Sequence, residues 1–551
     1  MDFEETQKLV DTAVFAKAQR HLSDPEITIL RGACLGMTYE QMAESSQYTV
    51  NYLMRDVGPK FWKLLSEAFG EDVSKASLRS ALGRQLRSPW QAPPLSDSAL
   101  ISSKSAIAPQ SPLVDWGEAP EIPVFCGRTQ EMNDLTQWIV KERCRLLVLS
   151  GVSGIGKTTL SVKLVKELQQ EFDGAVWRSL RQAPTLANLL TYLIQIFERS
   201  PQINLSVDID DRISQLIEKL RNSKYLIVLD GFETILEPGK LAGNYREGYE
   251  NYGELIKRIA EQQHQSCLVI VTREMPEAIE LLVGDRLPVR VLNLPGLNET
   301  EAREIFQAQG LSDEKKWAEV IKIYQGNPLE LKIVAPAIRE LFNGQVSDFL
   351  QRKTFVFGGI KALLNDQLQR LSDLEKAILY WLAIEDSPVS LARLADELLF
   401  PVSDSEILEA LASLLRRELI NKNARSGQTE FVLQQVLMQY VTEQLTDRVC
   451  TEIFSLLRNQ KPDANKVKLL KSHRVFKTRQ LNPNSKGAIA ENSIANSVKE
   501  NLIKMFKSNS KGYEQFNKIY SALQNQPFME IGYIQDNLQN LLALIKAEGK
   551  I

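Results

Sequence analysis

Residues Arg145–Thr159 read RLLVLSGVSGIGKTT, and the fold is decided there. An apolar run of strand length, RLLVLS (Arg145–Ser150), passes directly into Gly151-Val152-Ser153-Gly154-Ile155-Gly156-Lys157-Thr158-Thr159. The residues from Thr159 on, TLSVKLVKELQQ, carry helical spacing. Glycines let the backbone turn successive N–H groups inward round an anion, and the helix N-terminus behind them adds partial positive charge. In this pattern, Gly then four residues then Gly-Lys-Thr, Lys157 reaches the β- and γ-phosphates of a nucleotide and the Thr158 hydroxyl ligates Mg²⁺. A ligand-free glycine turn would need neither the strand before it nor the helix after it.

Toward the C-terminus, AVWRSL (Ala175–Leu180), YLIVLD (Tyr225–Asp230), CLVIVT (Cys267–Thr272) and VRVLNL (Val289–Leu294) are further short apolar runs, separated by longer helical stretches. Continuous apolar strands alternating with helices predict a parallel sheet covered on both faces, a three-layer α/β domain over 124–297. Asp230 ends one such strand and is the candidate to hold Mg²⁺ through water; Glu233 is the candidate to orient or deprotonate an attacking water. Arg273, at the end of the next strand on the ligand-binding edge, is the candidate γ-phosphate sensor, against the plain alternative of a solvated arginine.

Beyond Asn298 the pattern is helical. A helical domain is expected over 298–369. Three helical segments followed by the short strand TEFVLQ predict a winged helix over 370–450. A basic helical tail then covers 451–551, with NPNSKGAIAENSIANS read as partly disordered. Net charge is −3, yet Arg458–Lys511 holds 13 Lys and Arg against 3 Asp and Glu. Such asymmetry fits an acidic partner or nucleic acid, or simply a solvated helical face.

Toward the N-terminus, seven of the 22 prolines fall between Pro89 and Pro123, which reads as a linker over 88–123. It isolates a helical module, 1–87. There DPEITILRGACLG is a helix closed by Gly36, and TYEQMAESS is a second with Thr38 and Gln41 as a capping box. TVNYLMRDVGPKFWKLLSEAFG opens with the recognition helix of a helix-turn-helix, whose Asn51, Tyr52 and Arg55 are candidate DNA contacts. Charge in this module is balanced, 11 Lys and Arg against 12 Asp and Glu, without the basic excess of a DNA-binding domain. A protein-adaptor role therefore stays open beside DNA binding.

Composition excludes several classes. No apolar run approaches the roughly 20 residues of a membrane span, and the opening MDFEETQ lacks the order of a signal peptide. Five scattered cysteines and three histidines give neither a disulfide framework nor a metal-hydrolase site, so a reducing, cytoplasmic setting is expected.

The order of these motifs resembles the NB-ARC family of the STAND class, the switch domain of apoptotic-protease activators and plant resistance proteins. VFCGR (Val124–Arg128) looks like the family's opening motif, which implies Gly127 and Arg128 beside adenine and ribose. WRSL (Trp177–Leu180) resembles the segment that puts an arginine, here Arg178, near the phosphates. QGNPLEL (Gln325–Leu331) matches the Gly-x-Pro motif, implying that Pro328 packs by the adenine. Where the family's winged helix carries a histidine for the ADP β-phosphate, this chain reads FVLQQVLMQYV, so Gln434 stands in. Glutamine donates a hydrogen bond but does not become cationic. Three phrases, DWGEAPEIPVFCGR, NYREGYENYGELIKRI and MEIGYIQDNLQNLLALIK, are similar to cyanobacterial NB-ARC proteins. In those the last usually precedes a repeat sensor, which here is absent, encoded separately or lost by truncation. The resemblance implies a switch holding ADP at rest and ATP–Mg²⁺ when active, self-associating, with slow hydrolysis as reset. The alternative is a DNA-binding transcription regulator tuned by nucleotide; a mechanical AAA-type motor is disfavoured because only regulatory helices follow the sensor strand.

Overall fold

The computed structural model describes residues 3–78, 113–476 and 493–547, apart from positions 19, 36, 45, 47, 71–72, 76–77, 124, 201–204, 285–286, 400–401, 426–427, 459–466, 509–510 and 524–526. Gly36 and most of NPNSKGAIAENSIANS lie outside the described residues, as does most of the proline-rich stretch 88–123.

The central domain is built on a six-stranded sheet, all parallel: β1 (Leu113–Asp115), β2 (Leu146–Ser150), β3 (Gly174–Ser179), β4 (Tyr225–Asp230), β5 (Cys267–Val271) and β6 (Val289–Asn293). They lie in the order β1-β3-β4-β5-β2-β6. β2, β4 and β5 are buried at every position, which is why they read as unbroken Val/Ile/Leu runs rather than alternating ones. Separate apolar cores form on the two faces, one around Val148, Ile227 and Ile270, the other around Leu149, Val228 and Val269. Successive residues of one strand thus feed opposite layers.

Five of the six strands were expected. The sixth corrects the boundary of the proline-rich segment: Leu113–Asp115 falls inside 88–123, yet pairs Leu113↔Gly174 through Asp115↔Val176 as an edge of the sheet. Three residues among prolines are too few to show a period.

The helical stretch and the winged helix follow. The winged helix contains β7 (Val389–Ser390), β8 (Ile420–Arg425) and β9 (Gln428–Leu433), antiparallel in the order β7-β9-β8. Three helices here start from capping boxes, at Asn298/Glu301, Ser372/Glu375 and Ser403/Glu406, each satisfying two otherwise orphan backbone donors. One contiguous core runs from Leu297 through the winged helix to Ile545, so the described helices of 451–551 are packed in rather than appended. His473 seals that junction: its ring lies 5.1 Å from Trp381, and Asn537 donates to the carbonyls of Leu470 (2.8 Å) and His473 (2.7 Å).

The N-terminal module has its own small core around Val14, Leu30, Leu53, Phe61 and Leu65. Thr38 and Gln41 form the expected reciprocal pair, Thr38 N–H to Gln41 Oε1 at 2.8 Å and Gln41 N–H to Thr38 Oγ1 at 3.3 Å. The segment read as the recognition helix begins with a π turn, Tyr52–Val57, before the helix Gly58–Phe69. The module rests on the central domain, where Gln182 Nε2 donates to the Tyr48 hydroxyl at 3.0 Å and His21 lies 5.8 Å from Tyr192.

Candidate nucleotide site

The loop after β2 turns through three glycines with positive φ: 151° at Gly151, 81° at Gly154 and 101° at Gly156. At Gly154 a Cβ would also stand 2.8 Å from the Leu329 side chain, so glycine is required there twice over. The helix Lys157–Leu168 starts directly behind, aiming its N-terminus at the loop.

Lys157 is buried, and its ammonium donates to the carbonyls of Gly151 (2.7 Å) and Val152 (2.9 Å), folded back along its own loop. Burial lowers its pKa to about 8, an effect only partly offset by the charges of Glu233 and Asp230. Thr158 Oγ1 donates to Asp230 Oδ1 at 2.8 Å, so the two hard oxygen donors expected to face a cation are adjacent. Burial raises the Asp230 pKa to about 6.

A cavity of about 410 Å³ opens over the loop and is lined by Phe125, Arg128, Ser153–Thr159, Arg181, Asp230, Glu233, Arg273, Pro328, Leu329 and Lys332, among others. Arg128 is buried at φ 66°, its guanidinium donating to the Ile155 carbonyl (3.0 Å) and pairing with Glu131 (2.7 Å). Its own N–H reaches Glu301 Oε1 at 2.7 Å, and Gly127, where a Cβ would meet the Glu301 side chain at 2.4 Å, is pinned against the same carboxylate. Arg273 is held by two carboxylates, Glu233 (3.1 Å) and Asp366 of the helical domain (2.8 Å). From that domain Asn327 Nδ2 also reaches the Ser153 carbonyl (2.9 Å), and Leu329 N–H the Gly154 carbonyl (3.3 Å).

Two expected residues sit elsewhere. Arg178 faces a different cleft, pairing with Glu118 at 3.3 Å and stacking 3.7 Å over the Tyr192 ring, whose hydroxyl bonds Asp115. Alternation along β3 explains this, and Arg181, past the strand end, lines the cavity instead. Gln434 donates to the Glu418 carbonyl (3.0 Å) and lines a neighbouring cavity with Val152 and Ile155. The winged-helix group turned to the loop is the carboxyl of Glu418: burial raises its pKa, while the Lys157 charge and the Val152 N–H favour its ionised form.

A buried ion network below the sensor strand was not legible in the motifs. Glu274 is paired with Arg370 and with Arg417, and Arg417 pairs with Glu375 at 3.2 Å. Arg370 also reaches the Glu233 carbonyl (2.8 Å), and Arg417 the Lys240 carbonyl (2.8 Å). These contacts join the α/β domain to the winged helix. Among the described residues no cluster of His, Cys, Asp and Glu forms a protein-only metal site, and no helix is long and apolar enough to cross a membrane.

Fold and site together define a P-loop nucleoside-triphosphatase domain behind a helix-turn-helix module. Residues 128–234 match the NB-ARC domain family, and residues 1–85 match the family described as vWA-MoxR associated protein N-terminal HTH. It is similar to the uncharacterized WD repeat-containing protein alr2800 of Nostoc sp., 39% identical over 471 residues that make up 82% of this chain and 37% of that protein. The disease resistance-like protein DSC1 of Arabidopsis thaliana is 24% identical over 227 residues, 39% of this chain and 17% of that one. The chain thus spans well under half the length of either relative. Among solved structures, the Pyrococcus horikoshii STAND protein PH0952, with a tetratricopeptide repeat sensor, is similar at a TM-score of 0.28 and 17% identity, over 78% of this chain and 59% of that one.

Proposed function

We propose that the chain is a nucleotide-dependent signal-transduction switch, holding ADP at rest and ATP with Mg²⁺ when active, with slow hydrolysis as its reset. The observation that carries this reading is the position of Arg273. The candidate γ-phosphate sensor is neutralised from both sides by Glu233 and by Asp366 of the helical domain, so that its release and interdomain opening are one event. The resting nucleotide would lie in the 410 Å³ cavity, its base toward Arg128 and Pro328. The glycine cradle, the buried Lys157 and the adjacent Thr158 and Asp230 oxygens suit phosphates and a hard cation. Mg²⁺ would be held by Thr158 and, through water, by Asp230, and would neutralise phosphate charge. Lys157 would leave its own loop carbonyls for the phosphates, and Glu233, freed from Arg273, would orient a water. Self-association and a separate sensor or effector belong to the same reading, in a cytoplasmic setting.

The test is to purify the protein without added nucleotide, denature it and identify what is released, beside Lys157→Ala. Near-stoichiometric ADP from the native chain and none from the variant is expected. A native chain that emerges empty but binds added ATP would remove the ADP-held resting state.

A second reading, a transcription regulator tuned by nucleotide, is favoured by one observation. Asn51, Tyr52 and Arg55 are all exposed along the start of the segment read as the recognition helix. Absence of salt-dependent binding to any duplex, with ADP and with ATP, would dismiss it.

A further inference from the structure

The N-terminal edge of the sheet, opposite the phosphate loop, carries a second cleft. In the strand order β5-β2-β6 the segments leading into three adjacent parallel strands must meet: Glu142–Arg145 before β2, Gln263–Gln265 before β5, Leu287–Pro288 before β6. They enclose about 640 Å³, within the range of small-molecule sites. A five-residue strand spans roughly 17 Å, which separates this cleft from the nucleotide cavity.

Its charge is lopsided. Arg143, Arg145, Arg221 and Arg290 line it, with Glu142 the one carboxylate among the described lining residues. That carboxylate is engaged by Arg290 at 3.0 Å. Among the described residues Arg145 donates to the carbonyls of Ala260 (3.3 Å) and Glu261 (3.5 Å), and Arg221 to the Gln263 carbonyl (3.3 Å) and Gln262 Oε1 (2.7 Å). Arg143, exposed at φ 54°, has no ion pair among the described residues. Burial lowers the Arg145 pKa with no carboxylate offsetting it. His264 adds shape rather than charge: Nε2 lies 2.8 Å from the Ile259 carbonyl and Nδ1 accepts from Ser266 N–H, which sets the tautomer. Its pKa is lowered by burial and by the neighbouring Arg145 and Arg221.

Simple helix capping accounts for some of these contacts, because Arg145 reaches the carbonyls at the end of the helix Asn251–Glu261. It does not account for Arg143, and it leaves three guanidiniums without a carboxylate partner among the described residues round one concavity. A cleft lined by one sign of charge focuses its field on a small counter-ion, and forked guanidiniums suit phosphate oxygens. Among the described residues no Phe, Tyr or Trp lines it, so these offer no platform for stacked bases. We propose that this cleft binds a small anion through a short phosphate chain, independently of the phosphate loop. The chain is carried either by an inorganic oligophosphate or by the tail of a nucleotide.

The experiment titrates sodium tripolyphosphate into the full chain carrying Lys157→Ala, by calorimetry at low salt, and repeats it with Arg143→Glu and with Arg221→Gln added. One saturable site is expected, weakened at least about tenfold by either added substitution and weakened by salt. Unfolding midpoints serve as the folding control; the exposed, unpaired Arg143 makes that variant the safer of the two. Equal affinity for ATP and tripolyphosphate assigns recognition to the phosphate chain alone, and tighter ATP assigns it to a nucleotide. Absence of saturation, or saturation that neither arginine substitution changes, overturns the proposal. Tighter competition by a short DNA duplex than by ATP overturns it in favour of nucleic acid.

Discussion

Lys157 and Arg273 both begin from satisfied positions, one on its own loop carbonyls, the other on two carboxylates, so each would have to trade partners to reach a phosphate. Removing the lysine leaves the cradle without its central charge. Lys157→Ala is expected to weaken nucleotide binding at least about tenfold, a charge-assisted contact being worth roughly 1.5–3 kcal/mol, as read by fluorescent-nucleotide titration. The two arginines of WRSLR separate cleanly. Arg181→Ala is expected to weaken binding of the triphosphate, whereas Arg178→Ala, stacked on Tyr192 in another cleft, leaves it within about twofold. Equal losses in the same titration would return Arg178 to the site. At the winged helix, Glu418→Gln should alter nucleotide release more than Gln434→Ala, because the Glu418 carboxyl faces Val152 and Lys157 while Gln434 bonds a carbonyl.

Among elements, the winged helix is fastened at two junctions of different chemistry. The first is ionic: Glu274 is 3% exposed and shared by Arg370 and Arg417. Removing one partner of a buried network leaves uncompensated charge, at a cost of about 3–5 kcal/mol. Glu274→Ala should therefore loosen the domains, giving faster nucleotide release and an earlier tryptic cut between the α/β domain and the helical domain. A variant as resistant as the native chain would mean that apolar packing alone holds the closure. The second junction is apolar and carries a pH signature. Burial against Trp381 and Tyr380 holds the His473 pKa down to about 4, against about 6.5 in an unfolded chain. Below pH 6.5 the unfolded chain takes up a proton that the folded one refuses, so stability falls as pH drops from 6.5 to about 4. The full shift is worth on the order of 3 kcal/mol. Denaturant midpoints at pH 7 and 4.5 should converge in His473→Gln and differ in the native chain.

Across the whole molecule, the helix-turn-helix module touches the α/β domain beside Tyr192 and Gln182, at the end of the same strand, β3, that leads to Arg181. The helix-turn-helix module and the cavity are thus neighbours through one short segment. If nucleotide state governs the module's accessibility, hydrogen exchange in Asp24–Leu35 and Gly58–Phe69 should rise on exchange of ADP for ATP and be already raised in Gln182→Ala. Unchanged protection in both cases would separate the module from the switch.

Chemistry confined to a few consecutive residues is what the amino-acid order determined by itself. The phosphate loop, the strand ending in Asp230, Arg273 at the end of the next strand and the Thr38/Gln41 cap each depend on local geometry, so spacing alone exposes them. The apolar runs likewise announced a parallel sheet, because strands buried on both faces must be apolar throughout. Tertiary structure alone decided which residues meet across distance. It turned Arg178 away by the alternation of a strand while Arg181, past the strand end, lines the cavity, and it put Gln434 on a neighbouring cavity together with Glu418, whose carboxyl faces Val152 and Lys157. It also recruited Leu113–Asp115 as a sheet edge, gathered Glu274, Arg370, Arg417 and Glu375 from two domains, and brought four arginines to one edge by strand order. A charge carries no period and no mark of its partner. Its role is written only when the chain closes and burial leaves it paired or unpaired.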